Sequence, residues 1–314
     1  MYRFGKIVVD SSVPFLNGVF EPWFDVEYLR GDRISAEDLR DADALVVRTR
    51  TRCNAGLLAG SKVSIIATAT IGIDHIDFPF CADNGIEVVS APGCNAGGVC
   101  QYVFAALESL GIRSGNIGVV GVGHVGTRVS IRGREAGFRV LENDPPRGLE
   151  LGLKDLLRES DVVTVHIPLW DANRNFISDD FLLGMKQGAV LINASRGEVA
   201  DEEALLRHRS RLGGLVLDVW RNEPHINRDL LKVTDIATPH IAGYSIQGKI
   251  NGTVAVVRAI GQHFGIMDLE HFDPGNIALP SDPYDIMADD KALRDNPDAF
   301  EMLRNGYSYR NELL

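Results

Sequence analysis

The sequence of 314 residues predicts an α/β architecture in two domains, each built on a doubly wound parallel sheet. Three observations carry this. Short β-branched runs alternate with helix-length segments along most of the chain. The runs are apolar on both faces, as strands buried in a parallel sheet are. The length suits about two domains, each large enough to enclose its own core.

In chain order, the first strands read Lys6–Asp10, Ala44–Arg48, Ile65–Thr68 and Glu87–Ser90, with crossover helices at Ser35–Ala42 and Ile76–Asn84. A long helix, Ala96–Leu110, follows Ala91-Pro-Gly-Cys-Asn95 and has the length of a bridge between domains. A second series follows at Asn116–Gly121, Arg139–Glu142, Val162–His166, Ala189–Asn193, Leu215–Asp218 and Asp235–Thr238. Six strands with intervening helices complete a doubly wound sheet. Ser245–Phe264 reads as a helix returning to the first domain. The expected division is therefore a discontinuous domain, residues 1–95 and 241–267, around an inserted domain at 96–240. From Asp268 the periodicity fades into acidic, Pro-containing sequence, so 268–314 reads as a tail with dimerisation as its candidate role.

Composition narrows the function classes. A net charge of −11 argues against nucleic acid or an anionic membrane as partner, while leaving room for a local basic pocket. With 45% apolar and 24% charged residues the chain is neither disordered nor fibrous. Cys53, Cys81, Cys94 and Cys100 lack zinc-type spacing, so no metal is expected and reduced thiols are. No apolar run approaches the roughly 18 residues of a membrane helix, and Met1–Asp10 lacks a secretory apolar stretch. The expectation is a cytoplasmic protein.

The run Ile117-Gly-Val-Val-Gly121-Val-Gly123-His124-Val125-Gly126 is a G-x-G-x-x-G that follows an apolar strand and opens a helix. In that context Gly121 permits a tight turn, Gly123 lets the backbone approach a pyrophosphate, and Gly126 allows close helix–strand packing. Unpaired N–H groups at the helix start, around His124 and Val125, favour phosphate. Asp144 ends the next strand, 18 residues after Gly126, where an acid binds a ribose 2′-OH. Its charge would repel a 2′-phosphate, so NAD is expected over NADP, although Arg147 lies nearby. These features predict a Rossmann-type dinucleotide-binding domain.

Arg196, Glu223 and His240 stand at or just beyond strand ends of the second series, where open α/β sheets place ligands. Oxidation of a hydroxy acid needs a base, a cation for the carboxylate and a partner that tunes the base. His beside a carboxylate supplies the first and last, and the planar fork of Arg the second. Each residue also has a plainer reading: a capping or core His, a surface Arg, a turn Glu before Pro. Spacing alone leaves the choice open.

Asn193-Ala-Ser-Arg-Gly197, Leu217-Asp-Val-Trp220 with Glu223-Pro224, and Pro239-His240 resemble the D-isomer-specific 2-hydroxyacid dehydrogenases. The resemblance spans about residues 5–265. It implies a flavodoxin-like substrate domain around the Rossmann domain, NAD as cofactor, and Arg196, Glu223 and His240 as the catalytic set with His240 as acid/base. It further implies that Asp144 binds adenosine ribose and Asp218 the nicotinamide carboxamide. Ala194, Ser195, Arg196 and Gly243 would line the dinucleotide, while Thr49, Thr70 and Tyr244 would contact substrate. Arg48, at a strand end, is a candidate for a substrate phosphate or simply a solvated charge.

Ala67-Thr-Ala-Thr-Ile-Gly-Ile-Asp-His75, Ala91–Asn95, Asp144-Pro-Pro-Arg147 and His240-Ile-Ala-Gly-Tyr-Ser245 resemble one subgroup. That subgroup implies oxidation of the C2 hydroxyl of 4-phospho-D-erythronate in pyridoxal 5′-phosphate synthesis, by a homodimer. Ile167 stands where the family usually has Thr, and Thr49 where it often has Ser. The alternatives are another substrate of the same class, such as phosphoglycerate, or an NAD-sensing corepressor. Retention of all three catalytic residues disfavours the corepressor.

Overall fold

A computed structural model describes residues 4–149 and 151–312. The chain forms two compact units, one up to Asn95 with Ile246–Leu279, the other Ala96–Ser245 with the chain from Pro280 onward.

The sheet of the first unit contains β1 (Lys6–Asp10), β2 (Asp25–Leu29), β3 (Ala42–Val47), β4 (Ile65–Thr68) and β5 (Glu87–Val89). All are parallel, in the order β2-β1-β3-β4-β5, which is flavodoxin-like. Alternate residues serve opposite faces. Ile7, Val9, Val46 and Ile65 pack with Val256 and Ile260 of helix Ile246–Phe264, whereas Val8, Leu45, Val47 and Ile66 pack with Leu39, Leu58 and Cys81. This two-sided burial explains why these strands read as continuous apolar runs. β2 was not anticipated: Asp-Val-Glu-Tyr-Leu is a half-exposed edge strand, paired with β1 alone, and lacks such a run. The helix expected over Ser35–Ala42 is a single turn, Ala36–Leu39, because β3 already begins at Ala42. That expected over Ile76–Asn84 starts at Phe78, capped by the Asp77 carboxylate.

The second unit holds β6 (Asn116–Val120), β7 (Arg139–Asn143), β8 (Val162–Val165), β9 (Val190–Asn193), β10 (Gly214–Leu217) and β11 (Ile236–Ala237). They form one parallel sheet in the order β11-β10-β9-β8-β6-β7. The chain leaves β6 to one side for β7 and crosses to the other for β8. This reversal is the switch point at which such sheets bind ligands.

Helix Ala96–Ser109 falls in the second unit, with the boundary at 96 as expected, while the later boundaries need correction. Its Val99, Tyr102, Val103 and Ala106 are buried with Ile117, Val119, Ile192 and Val216 in the core of the second unit. The return to the first unit comes after Ser245 rather than His240, and the segment after Leu279 belongs to the second unit instead of standing apart as a tail. Helices Ile286–Asp295 and Phe300–Asn305 bury Ile286, Leu293 and Phe300 in that unit's core. Asp290 accepts the Ala237 N–H at 2.7 Å, and Arg294 donates to the carbonyls of Leu231 and Thr234. The tail thus completes the β11 edge. Its short helices alternate with Pro and Asn breaks, which is why no period showed in the sequence.

Candidate active site

Between β6 and the helix His124–Glu135 the three glycines have separate physical roles. Gly121 lies at φ +85°, in the left-handed region, and a Cβ there would come within 2.7 Å of the His166 carbonyl. A Cβ on Gly126 would sit 2.0 Å from the Gly121 carbonyl, so the helix can approach the strand only with glycine here. Gly123 differs: a Cβ would meet no protein atom within 4 Å. Protein packing does not require glycine at 123, whereas close approach of a pyrophosphate does. Gly123 is also the helix N-cap, and among the described residues no side chain caps it. The first-turn N–H groups, those of His124 and Val125 included, lack intrahelical partners. These features fit a dinucleotide phosphate.

Asp144 follows β7. Its Oδ2 accepts the Val122 N–H at 2.8 Å, which folds the acid against the glycine loop. Arg147 donates to the Val122 carbonyl from the adjacent turn. Asp144 is half-buried, so it stands beside the loop as a ribose contact requires. A substitution tests the cradle. Gly126→Ala should raise the Kd for NADH at least about tenfold, equivalent to about 1.4 kcal/mol, with far-UV circular dichroism unchanged. NADH fluorescence titration reads it, and an unaltered Kd contradicts the close-packing role.

His240 and Glu223 meet directly. Nδ1 of His240 lies 2.7 Å from Oε2 of Glu223, while Oε1 of Glu223 accepts the Trp220 N–H at 3.0 Å. Burial pushes the Glu223 carboxyl up, but the His240 charge and hydrogen bond, Arg304 and the Trp220 N–H outweigh it, leaving the group below its ordinary value. An ionised Glu223 accepts the proton on Nδ1. The lone pair of Nε2 is then available as a base.

Asp218 anchors the segment that presents His240. Its buried carboxylate accepts from the Thr238 hydroxyl at 2.7 Å and from the N–H groups of Ile241 and Ala242 at 2.7 and 2.9 Å. Its carbonyl accepts the His240 N–H at 2.7 Å. Burial raises the Asp218 carboxyl above its usual range, against the lowering influence of His240 and these donors. His240 itself adopts φ +57°, a left-handed conformation uncommon for a residue with a Cβ.

Arg196 follows β9 in a loop shaped by Asn193, whose Oδ1 accepts the Ser195 N–H and hydroxyl and whose Nδ2 donates to the Arg196 carbonyl. The Arg196 side chain donates to the Ser195 carbonyl at 2.8 Å. Gly197 lies so close to the Trp220 carbonyl that a Cβ would fall 2.0 Å from it. The Arg196 loop is thereby packed on the backbone that leads to Glu223. Ala194 and Gly243 are half-buried beside these loops, whereas Ser195 is buried.

The residues expected to touch substrate divide between the units. Tyr244 belongs to the second. Arg48, Thr49 and Thr70 belong to the first, where Thr49 is exposed and Arg48 donates to the Ser12 carbonyl at 3.2 Å. The Thr70 hydroxyl lies 2.8 Å from that of Thr68 and donates to the Gly72 carbonyl.

Two residues of the site were missed in the sequence because both lie in the unassigned segment. Arg304 donates from Nε to the Tyr244 hydroxyl at 3.2 Å, and its Nη1 is 3.9 Å from Oε2 of Glu223. Arg310, only 6% exposed, donates to the carbonyls of Gly98, Ile241, Ala242 and Tyr244. It clamps the loop that follows His240. Arginine and tyrosine clustered at Arg304, Tyr307, Tyr309 and Arg310 were the available signal.

Residues 102–242 match the family described as D-isomer specific 2-hydroxyacid dehydrogenase, NAD binding domain. The chain is 39% identical to the erythronate-4-phosphate dehydrogenase of Bacteroides fragilis, over 98% of this chain and 97% of that protein. It belongs to the D-isomer-specific 2-hydroxyacid dehydrogenase family. Within it, an erythronate-4-phosphate dehydrogenase of Yersinia pestis is 38% identical over 98% of this chain and 92% of its own. The NAD⁺-bound 3-phosphoglycerate dehydrogenase of Entamoeba histolytica superposes with a TM-score of 0.73 at 25% identity, over 88% of this chain and 99% of that one. As a member of this family the chain is an NAD-dependent oxidoreductase, and the glycine loop and Asp144 belong to its NAD-binding domain. Among the described residues no helix is long and apolar enough to cross a membrane, and no cluster of His, Cys, Asp and Glu could hold a metal.

Proposed function

We propose that the chain oxidises the C2 hydroxyl of 4-phospho-D-erythronate to the 2-oxo acid with NAD, a step of pyridoxal 5′-phosphate synthesis. The Glu223–His240 pair, with Tyr244 four residues on, carries the reading. NAD bound at the glycine loop supplies the hydride acceptor. His240 takes the hydroxyl proton on Nε2 as the C2–H electron pair departs and C2–O becomes a carbonyl. Glu223, ionised and hydrogen-bonded to Nδ1, stabilises the imidazolium that results. Arg196 offers its guanidinium to the C1 carboxylate and to the charge that develops on the C2 oxygen. Asp218 supports the nicotinamide end of the site, and Asp144 the adenosine ribose.

Thr49, Thr70 and Tyr244 are the proposed substrate contacts, with Arg48 the cation for the 4-phosphate. A cytoplasmic homodimer completes the reading. Near-full-length relatives named for this substrate favour it over phosphoglycerate. The test follows NADH absorbance with 4-phospho-D-erythronate, 3-phosphoglycerate and D-lactate in parallel, with a 2-oxo acid added in a second series. Turnover is expected with phosphoerythronate and is expected to be at least about 100-fold slower in kcat/KM with the others, a preference of about 2.7 kcal/mol. Turnover of D-lactate or phosphoglycerate alone would refute the substrate, and NAD binding without any turnover would refute the enzyme.

A further inference from the structure

Among the described residues two basic side chains approach Oε2 of Glu223, and the mechanism uses one, His240. The other is Arg304, which comes from helix Phe300–Asn305 and is held there by the burial of Phe300. The Arg304 side chain is 17% exposed and that of Glu223 18%. Nη1 of Arg304 lies 3.9 Å from the Glu223 oxygen that meets His240 Nδ1 at 2.7 Å. On its other edge, Nε donates to the Tyr244 hydroxyl at 3.2 Å. The Tyr244 ring is flanked edge-on by Tyr307 and Tyr309, with centroids at 6.1 and 6.3 Å. A guanidinium is planar and stays charged, so it can hold two partners in fixed relation where an ammonium could not.

We propose that Arg304 is a positioning residue of this site, fixing Glu223 and Tyr244 relative to each other and setting the pH range in which the Glu223–His240 pair works. This rests on the proposed dehydrogenase chemistry and extends it to a residue of the C-terminal segment. Arg304 does not touch the reacting atoms. It shares one carboxylate oxygen with His240, so a fixed positive charge stands beside the pair.

The charges around the pair can be named. Arg304 faces Glu223 from the C-terminal helix, with Glu301 one turn before it acting on Arg304. Asp218 interacts with His240 from the end of β10, and Tyr244 borders Arg304 from the loop after His240. Among these groups Arg304 is the one fixed positive charge. Its loss leaves the carboxylates to favour the protonated pair.

The experiment compares the wild type with Arg304→Gln and Arg304→Lys. In Arg304→Gln the acid limb of kcat/KM for hydroxy acid oxidation should move up by about 0.5–1 pH unit, with a lower kcat. Arg304→Lys should return the limb towards the wild-type position, because the charge is restored, while KM stays raised because the Tyr244 contact is not. A merely structural residue would lower the rate without moving the limb, and an unmoved limb in Arg304→Gln overturns the proposal. Histidine Cε1–H NMR titration reads the same shift at His240 without turnover. A wild type that fails to oxidise any hydroxy acid therefore overturns the proposed function, whereas an equal His240 titration in wild type and variant overturns the role of Arg304. Thermal unfolding of the three proteins excludes collapse as the cause, and Arg304→Lys keeps the test usable if Arg304→Gln fails to fold.

Discussion

His240→Gln should lower kcat for hydroxy acid oxidation by about 10²–10⁴-fold while leaving the Kd for NADH within about twofold. Gln keeps a polar group at the end of the loop but has no lone pair that can take a proton near neutral pH. The proposed pyrophosphate and ribose contacts stand apart from this change, since they come from Gly121, Gly123, Gly126 and Asp144, beyond other strands. Steady-state rates of NADH formation, set beside NADH fluorescence titration, separate the two effects. Turnover within a few-fold of wild type would remove His240 from its role. A parallel loss of NADH affinity would mean that the substitution had disturbed the loop instead of the chemistry.

Arg310→Met should lower the stability of the protein by roughly 2–5 kcal/mol, by removing a buried guanidinium's hydrogen bonds to a cluster of carbonyls. Four carbonyls accept from this guanidinium, one on helix Ala96–Ser109 and three in the loop after His240, of which that of Ile241 also accepts the Tyr244 N–H at 2.8 Å. Nε also donates to the Gln101 side chain at 2.9 Å, and the guanidinium lies 4.1 Å from the centre of the Tyr284 ring. Methionine fills much of the volume and satisfies none of these groups. Urea unfolding gives the loss, and a midpoint unchanged within error would show that the clamp is redundant. Because the released loop carries Tyr244, KM for the hydroxy acid should rise more than kcat falls.

The parts of the fold that could be read from sequence share one property. Their burial is two-sided or their motif is local. β1, β3, β4 and β8 are apolar on both faces, so they stood out as runs, and the glycine loop carries its signal within ten residues. β2 did not stand out in the same way, because it is half-exposed along its length. β11 was legible as Asp235–Thr238, though it is only two residues long and is completed by an aspartate 53 positions further along the chain.

The same division holds for the site. The Glu223–His240 contact joins residues 17 positions apart at the ends of neighbouring segments; spacing alone left it open, and the family resemblance implied it. Arg304 and Arg310 reach the loop after His240 from 60 or more positions away, one from a helix too short to show a period and the other from the irregular chain after it. Their role comes from tertiary packing, which a one-dimensional pattern does not encode. The anchoring of the His240 segment by Asp218 was also out of reach, since a carboxylate with three donors and one facing a ligand look alike in sequence.

The left-handed backbone at His240 has an evolutionary consequence. Glycine adopts φ near +57° more easily than any residue with a side chain. If folding were the only demand on this loop, drift towards glycine at position 240 would be favoured, and the three donors to Asp218 would be left intact. Histidine there runs against that drift. Under the proposed role of His240 the position gives up some stability to keep an imidazole at the end of the sheet, so a copy of this gene released from selection for catalysis should lose His240 earlier than it loses the Asp218 that holds the loop.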